Sequence, residues 1–400
     1  MKDTNSDIIF SHISDIHLGA FGGLLRDYSS NAFKMAIRKS IEMNVKFIII
    51  SGDLFHTHVP SMHSAREAAE LLREAKERGI KVYMVYGSHD YSPNYDSMID
   101  ILNSAGLVNK VQRLENNVLI PLIDEDLGVA FYGIDARRNG IDADLWKSIR
   151  LERAPDDLFN ILIAHTAVRE LLPKNLAGLI EAVSLSELPS GMSYYAIGHI
   201  HSPAFMKYQD SLVAQPGALF GSSVTDLQDT ALGMKRGFFV YRKGEAEFVE
   251  ISPVPIIYSE IDLDGKSPWQ FKQDSVEIPP NSVLVLRLKG NLSSGSPSEV
   301  DTSSLTKRAN SLNTVLLIKR DLKGPEVKET QVSGTVEEIE EEILKKTLLE
   351  QKNIFLKDID SKQLKQIMDI LSQEKKEGEK ESDRIERIFD TYLKLIGVDQ

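Results

Sequence analysis

The chain has no cysteine. That excludes disulfides, thiol nucleophiles and cysteine-based zinc sites together. Long apolar runs are missing as well. Stretches such as Phe47-Ile48-Ile49-Ile50 fall far short of the roughly 20 residues that cross a bilayer. Nothing near the start resembles the apolar core of a secretory leader, and Ile8, Ile9 and Phe10 read as a first strand, so a cytoplasmic protein is expected. Positive charge is in the minority, 47 basic against 59 acidic residues, a net of −12 over 400 residues. This argues against non-specific nucleic-acid binding through bulk charge while leaving room for a local basic patch. Hydrophobic residues at 42% and charged residues at 26% match an ordinary globular protein, so disorder, collagen and coiled coil are poor descriptions of the whole.

What is present is an alternation. Residues 7–14, 45–51, 81–86, 129–134, 159–164 and 192–197 are short runs rich in Ile, Val, Phe or Tyr and read as strands. Between them Phe33, Ile37 and Ile41, then Ala68, Leu71, Leu72 and Ala75, recur at helical spacing. Residues 211–214, 237–241 and 245–251 look like closing strands of the same sheet system. The pattern predicts a layered α/β domain over residues 1–252. Ser252-Pro253-Val254-Pro255 marks a linker. Strands at 256–263, 282–288 and 314–320 and a helix at 304–312 then form a small α/β unit over 253–330. The last segment, 331–400, holds 17 acidic and 12 basic residues and no proline. Thr335 with Glu338 forms a capping-box signature before Val336, Ile339 and Ile343, and Ile385, Phe389, Tyr392 and Ile396 make a second stripe. Residues 374–381 are the charged connection between these helices. Their apolar faces need a cover, either their own chain or a partner.

The nine histidines are the most informative residues. Asp15-Ile16-His17 follows the first predicted strand, Gly52-Asp53 the second, and Gly87-Ser88-His89-Asp90 the third. His165 ends a later strand and Gly198-His199-Ile200-His201 another. Carboxyl ends of strands form the common ligand face of α/β sheets. Five of them therefore deliver Asp, His and small polar residues to one place. Two divalent ions about 3.5–4 Å apart require that inventory: a bridging carboxylate and several imidazole or oxygen ligands. Asp-x-His and His-x-His on extended chain put both side chains on one face. Mixed N/O ligation suits Mn, Fe or Zn. Each element alone is weak; the ordered set of five is specific.

Together these motifs resemble the calcineurin-like metallophosphoesterase superfamily. Within it, His12-Ile13-Ser14-Asp15-Ile16-His17-Leu18-Gly19, Ser51-Gly52-Asp53-Leu54-Phe55-His56 and Val213-Ala214-Gln215-Pro216-Gly217 are similar to SbcD-type DNA double-strand-break repair nucleases. That is the meiotic-recombination-eleven group, in its archaeal-like form. The resemblance covers about the first 250 residues. It implies a layered β-sandwich core flanked by helices, followed by a small α/β DNA-capping domain and a C-terminal helical segment that binds a partner ATPase. It also implies a metal assignment. Asp15, His17 and His201 would hold one ion, Asp53 would bridge, and Ser88, His165 and His199 would complete the second. His89 would be the catalytic histidine, with the pKa for acid catalysis near neutrality. His56 is either a second histidine near the DNA backbone or an ordinary loop histidine, and His12 is structural. The superfamily usually carries Asn at the position of Ser88. A shorter hydroxyl there implies either a second ion held through water or attenuated catalysis in a subunit kept for DNA binding.

The function implied is that of a dinuclear Mn²⁺ nuclease. It would act as a 3′-to-5′ double-strand exonuclease and single-strand endonuclease at DNA ends, together with a coiled-coil ABC-type ATPase of the Rad-fifty/SbcC kind. A homodimer is implied through helices at 61–79 and 95–106, with Met98, Ile101, Leu102 and Ala105 as its seam or as monomer core. Arg137-Arg138, Lys235-Arg236 and Lys319-Arg320 are either DNA-backbone contacts or ordinary solvated surface pairs. Two other classes compete: a phosphodiesterase or phosphatase on a non-DNA substrate, and a weakly active or inactive end-binding scaffold.

Overall fold

The computed structural model describes residues 8–92, 96–136, 143–325, 343, 361–372, 384–385 and 387–391. Two compact units are present, Met1–Pro325 and Glu326–Gln400. The first begins β1 (Ile9–Ile13), α1 (Gly23–Glu42), β2 (Phe47–Ile50), α2 (Met62–Glu77), β3 (Lys81–Met84), α3 (Met98–Ser104) and β4 (Asn109–Lys110). The short strands β5 (Leu114–Glu115), β6 (Val118–Leu119) and β7 (Leu122–Asp124) precede β8 (Val129–Ile134), α4 (Ala143–Ser148), β9 (Arg150–Leu151) and β10 (Phe159–His165). Then come β11 (Tyr194–Gly198), β12 (Ala204–Tyr208), β13 (Ser211–Gln215), α5 (Val224–Ala231), β14 (Gly237–Arg242) and β15 (Glu245–Glu250). The unit closes with β16 (Ile256–Asp262), β17 (Val283–Asn291), α6 (Ser303–Ser311) and β18 (Val315–Lys323).

Two six-stranded sheets result, in the orders β15-β14-β1-β2-β3-β4 and β12-β13-β11-β10-β8-β7. The run Phe47–Ile50 explains why they stack. It is buried on both sides, so alternation sends Phe47 and Ile49 one way and Ile48 and Ile50 the other. Phe47 and Ile49 meet Phe10, Tyr83, Phe131, Ile161 and Tyr194 in a core between the sheets. Ile48 and Ile50 meet Phe33, Ile37, Ala68 and Leu72 of α1 and α2. The outer face of the second sheet carries its own core, with Tyr132, Leu162, Tyr195 and Trp146. The architecture is thus a layered α/β sandwich of two sheets flanked by helices. The strands expected to close one sheet system divide between two: β13 joins the second sheet, β14 and β15 the first. Apolar periodicity identifies a buried strand but carries no information on which sheet receives it.

The helical spacings place α1 and α2 as expected. Phe33, Ile37, Ala68, Leu72 and Ala75 are fully buried. Ser61 caps α2, its hydroxyl accepting the Ser64 N–H at 3.1 Å. In α3 the proposed seam divides. Leu102 is buried in the monomer, whereas Ile101 is 60% exposed.

Strands β16, β17 and β18 form a parallel three-stranded sheet. Val283-Leu284-Val285-Leu286 in β17 is buried on both faces. Val283 and Val285 join the large core on the side of α5, and Leu284 and Leu286 pack on Leu305 and Ala309 of α6. In the second unit a helix α7 spans Ser361–Leu371. Met368, Leu371, Ile385 and Phe389 are each more than half exposed. Residues Thr335, Val336, Glu338, Ile339, Tyr392 and Ile396, the connection 374–381 and the pair Arg137-Arg138 lie outside the described residues. Among the described residues no helix is long and apolar enough to cross a membrane.

Candidate metal centre

Strands β1, β2 and β3 are parallel neighbours, so their carboxyl ends lie side by side. Strands β10 and β11 are parallel neighbours in the other sheet. The five motif-bearing strand ends therefore meet across the rim of the sandwich rather than along one sheet. Close packing of backbones brings them together. Gly52 lies against the His165 ring and Gly87 against the Asp53 carboxylate and backbone. Gly87→Ala would drive a Cβ into that carboxylate, which backbone cannot yield without moving a loop. We expect it to cost about 1–3 kcal/mol of stability and to weaken Mn²⁺ binding together, read by thermal melts and calorimetric titration; a variant that binds Mn²⁺ normally would contradict this packing.

Four site residues, Asp15, His17, Asp53 and His199, have φ of 49°, 50°, 53° and 107°. Such conformations cost about 1–3 kcal/mol each and persist only where surroundings impose them. Here the loops bond to each other. Asp15 N–H donates to Gly52 O at 3.2 Å, and both Ile16 and His17 N–H donate to Asp53 O at 2.9 Å. The His89 N–H donates to Asp53 Oδ1 at 2.9 Å, and the His199 N–H to Asp15 Oδ2 at 3.1 Å.

The side chains converge in three groups, each with its ligand atoms within 4.8 Å of one another: Asp15, His17 and His201; Asp15, Asp53 and His165; and His17, His56 and His89. His17 Nε2 and His201 Nε2 are 3.1 Å apart. Two nitrogens each about 2.1 Å from a common ion at a right angle would be separated by about 3 Å. Asp53 Oδ2 lies 3.6 Å from His17 Nε2 and 3.3 Å from His165 Nε2. His165 Nδ1 donates to Ser51 O at 2.9 Å, which leaves Nε2, a buried atom with no hydrogen-bond partner among the described residues, as the nitrogen that faces Asp53. The ring of His199 sits 5.1 Å from that of His165. Ser88 is half-buried at the β3 turn. Asp15 is shared between two groups, where the resemblance implied Asp53 as the bridge.

Electrostatics fits a cation. Asp15 and Asp53 are 0% and 2% exposed, and among the described residues their ion-pair partners are histidines, never Lys or Arg. Burial alone would depress His165, but the Asp53 and Asp15 charges outweigh it and hold its pKa up to about 10. Burial would raise Asp53, yet His165 and then His17 keep its carboxyl well below the usual range. His17 is pushed down to about 4 by burial, against the pull of both carboxylates. Two buried carboxylates ringed by imidazoles, which would exchange the proton that the carboxylates hold on His165 for a cation, form a donor set for divalent transition metals.

His89 is exposed beside this set. Its ring is 4.8 Å from that of His17, and its Nδ1 donates to His56 O at 2.7 Å, so Nε2 is the ring nitrogen left to meet a ligand. His56 stacks on it at 4.9 Å, and burial followed by the His89 charge lowers the His56 pKa. His12 is structural: fully buried, it contacts Tyr194 Oη at 3.0 Å and Ser51 Oγ at 2.8 Å. Burial pushes its pKa down to about 3. Below pH 6.5 the unfolded chain therefore takes up a proton that the folded one refuses, and stability is lost as pH falls toward 3. Relative to His12→Gln, which lacks this titration, the wild type should lose about 1.4 kcal/mol per pH unit in that window. Urea melts at several pH values check this, and parallel curves would refute it.

Sequence reasoning missed two carboxylates. Asp90, quoted in its motif without a role, is buried and accepts the N–H groups of Leu54, Phe55 and Gly87 at 3.2, 3.0 and 3.1 Å, tying the β2 and β3 turns together. Asp226 reaches His201 from α5. The only signal for it was a helix-start pattern, Ser223-x-x-Asp226. One candidate DNA contact is corrected. Arg236 is 3% exposed and spends its guanidinium on Asp226 O, Thr230 Oγ1 and His201 O, so it is not available to a ligand. Its neighbour Lys235 pairs with Glu250 at 3.3 Å, and Arg320 donates to Thr302 Oγ1 at 2.8 Å.

The profile of the calcineurin-like phosphoesterase family matches residues 9–203. Among curated proteins, the DNA double-strand break repair protein Mre11 of Archaeoglobus fulgidus is 26% identical over 317 residues, 70% of this chain and 68% of that protein. The protein of the same name from Methanocaldococcus jannaschii is 28% identical over 70% of this chain and 75% of its own length. That from Sulfolobus acidocaldarius is 31% identical over 196 residues, 48% of this chain and 49% of its own. The aligned region thus spans between half and three quarters of these relatives.

Proposed function

The chain contains a calcineurin-like metallophosphoesterase domain of the Mre11/SbcD type, and from that premise we propose that it is a dinuclear Mn²⁺ nuclease acting on DNA ends in double-strand-break repair. The observation that carries the metal part is the pair of buried carboxylates, Asp15 and Asp53, whose ion-pair partners among the described residues are all imidazoles. Asp15, His17 and His201 would hold one ion, His165, His199 and Ser88 the other, and Asp53 would serve both. Divalent ions bound there would supply a water of lowered pKa and neutralise charge developing on the phosphate.

The chain's own residues do the rest. The carboxylates are oriented by N–H groups of neighbouring loops and the His165 ring by the Ser51 carbonyl, so little reorganisation is needed when charge develops. His89 keeps Nδ1 on His56 O and offers Nε2 to the substrate; protonated, it donates to the departing sugar oxygen. His56, stacked on it, shapes the surface on the substrate side. DNA as substrate is supported by the Mre11 relatives and by the exposure of His89 at the open rim. The 3′-to-5′ exonuclease and single-strand endonuclease activities rest on the motif resemblance.

The same reading assigns roles to the remaining parts: residues 1–252 as the nuclease domain, 253–330 as the DNA-capping domain and 331–400 as the segment that clasps a coiled-coil ABC-type ATPase. Exposed Met368, Leu371, Ile385 and Phe389 support the last. Exposed Ile101 supports a homodimer through α2 and α3. The test is cleavage of an end-labelled linear duplex by the purified chain with Mn²⁺ and with EDTA. Metal-dependent shortening is expected. DNA binding without cutting would favour the scaffold, and turnover of a small phosphodiester with no action on DNA would move the substrate elsewhere.

A further inference from the structure

We propose that Asp226 is the positioning residue that presents His201 to the metal centre, so that affinity for one of the two ions is set from helix α5 as well as from the strand ends. This rests on the metallophosphoesterase reading and deepens it.

His201 is the least enclosed of the three histidines in the two Asp15 groups. Its side chain is 28% exposed, against 1% for His17 and 0% for His165. Something other than packing must hold it. Its Nδ1 lies 3.1 and 3.0 Å from the two carboxylate oxygens of Asp226. An ionised carboxylate only accepts, so Nδ1 carries the hydrogen and the lone pair is left on Nε2. That nitrogen is the one 3.1 Å from His17 Nε2 and 4.0 Å from Asp15 Oδ1. Asp226 thus selects both tautomer and direction.

Asp226 is itself held from several sides. Its Oδ2 accepts the N–H groups of Ser222 and Ser223 at 2.9 and 3.1 Å and the Ser223 hydroxyl at 3.1 Å. Its own N–H donates to Ser223 Oγ at 3.1 Å. The buried Arg236 lies 3.7 Å from Oδ1, and it donates to Asp226 O at 2.7 Å and to His201 O at 2.5 Å. One clamp therefore grips the side chain of His201 and the other its main chain. A helix N-terminus would be served equally well by a carboxylate bonded to the cap alone; the bond to Nδ1 is the additional feature that a capping role does not require.

The test is calorimetric titration of the full chain with Mn²⁺, run on wild type, Asp226→Asn and Ser61→Ala. The last removes the cap of a different helix and controls for ordinary destabilisation. Asp226→Asn should weaken one site by about 10–100-fold and leave the other unchanged, while Ser61→Ala lowers the melting temperature and leaves both unchanged. In the metal-free proteins at alkaline pH, ¹⁵N shifts should report His201 as the Nδ1–H tautomer in wild type and lose that preference in Asp226→Asn. Unchanged affinities in Asp226→Asn, or equal loss at both sites, would overturn the inference alone. A wild-type chain that takes up no Mn²⁺ would sink the metal reading and this inference with it.

Discussion

Asp53→Ala is expected to abolish Mn²⁺ uptake at both positions and, with it, phosphodiester cleavage. Asp53 is the residue through which the two halves of the site touch. Its Oδ2 lies between His17 Nε2 and His165 Nε2, at 3.6 and 3.3 Å, and its Oδ1 fixes the His89 N–H at 2.9 Å. Removing the carboxylate leaves Asp15 alone to offset two divalent charges in a buried pocket and leaves His17 and His165 without the carboxylate between them. The ions are asked for several kcal/mol of transition-state stabilisation, so the loss should be about 10³-fold or more in rate. Alanine at φ 53° also strains the turn. Asp53→Asn, which tolerates that conformation, separates the two effects: it should keep the melting temperature and still lose the metals. Full activity in Asp53→Asn would mean that Asp15, shared between two groups, is the bridge instead.

His89→Ala should behave differently. The imidazole is exposed, and the bond that orders Asp53 comes from the backbone N–H, which alanine retains. Metal affinities should therefore stay at the wild-type level while single-turnover cleavage at saturating Mn²⁺ slows by about 10²–10⁴-fold. The pairing of Nδ1 with His56 O explains why: it leaves Nε2 as the only nitrogen able to reach a leaving oxygen. Equal loss of metal and activity would make His89 a ligand of the His17–His56–His89 group rather than an acid.

The site was legible in the sequence because its parts are local. Asp15 and His17, or His199 and His201, stand two residues apart just beyond strands whose Ile, Phe and Val content marks them plainly. The glycines before Asp53 and Ser88 sit where backbone approaches backbone. What could not be read is what depends on long-range placement. The runs 211–214 and 237–241 are equally apolar, yet β13 and β14 enter different sheets. Arg236 looks like any surface cation next to Lys235, and only the fold shows it buried under His201. Asp226 stands 25 residues from the imidazole it orients. The assignment of Asp53 as sole bridge came from resemblance, whereas the geometry also gives Asp15 a share of both groups.

The most direct measurement is anomalous diffraction at the manganese edge from crystals soaked in Mn²⁺. Two peaks about 3.5–4 Å apart, one among Asp15, His17 and His201 and the other beside Asp53 and His165, are the expected result. A single peak, or peaks away from these residues, would contradict the dinuclear centre on which the account rests.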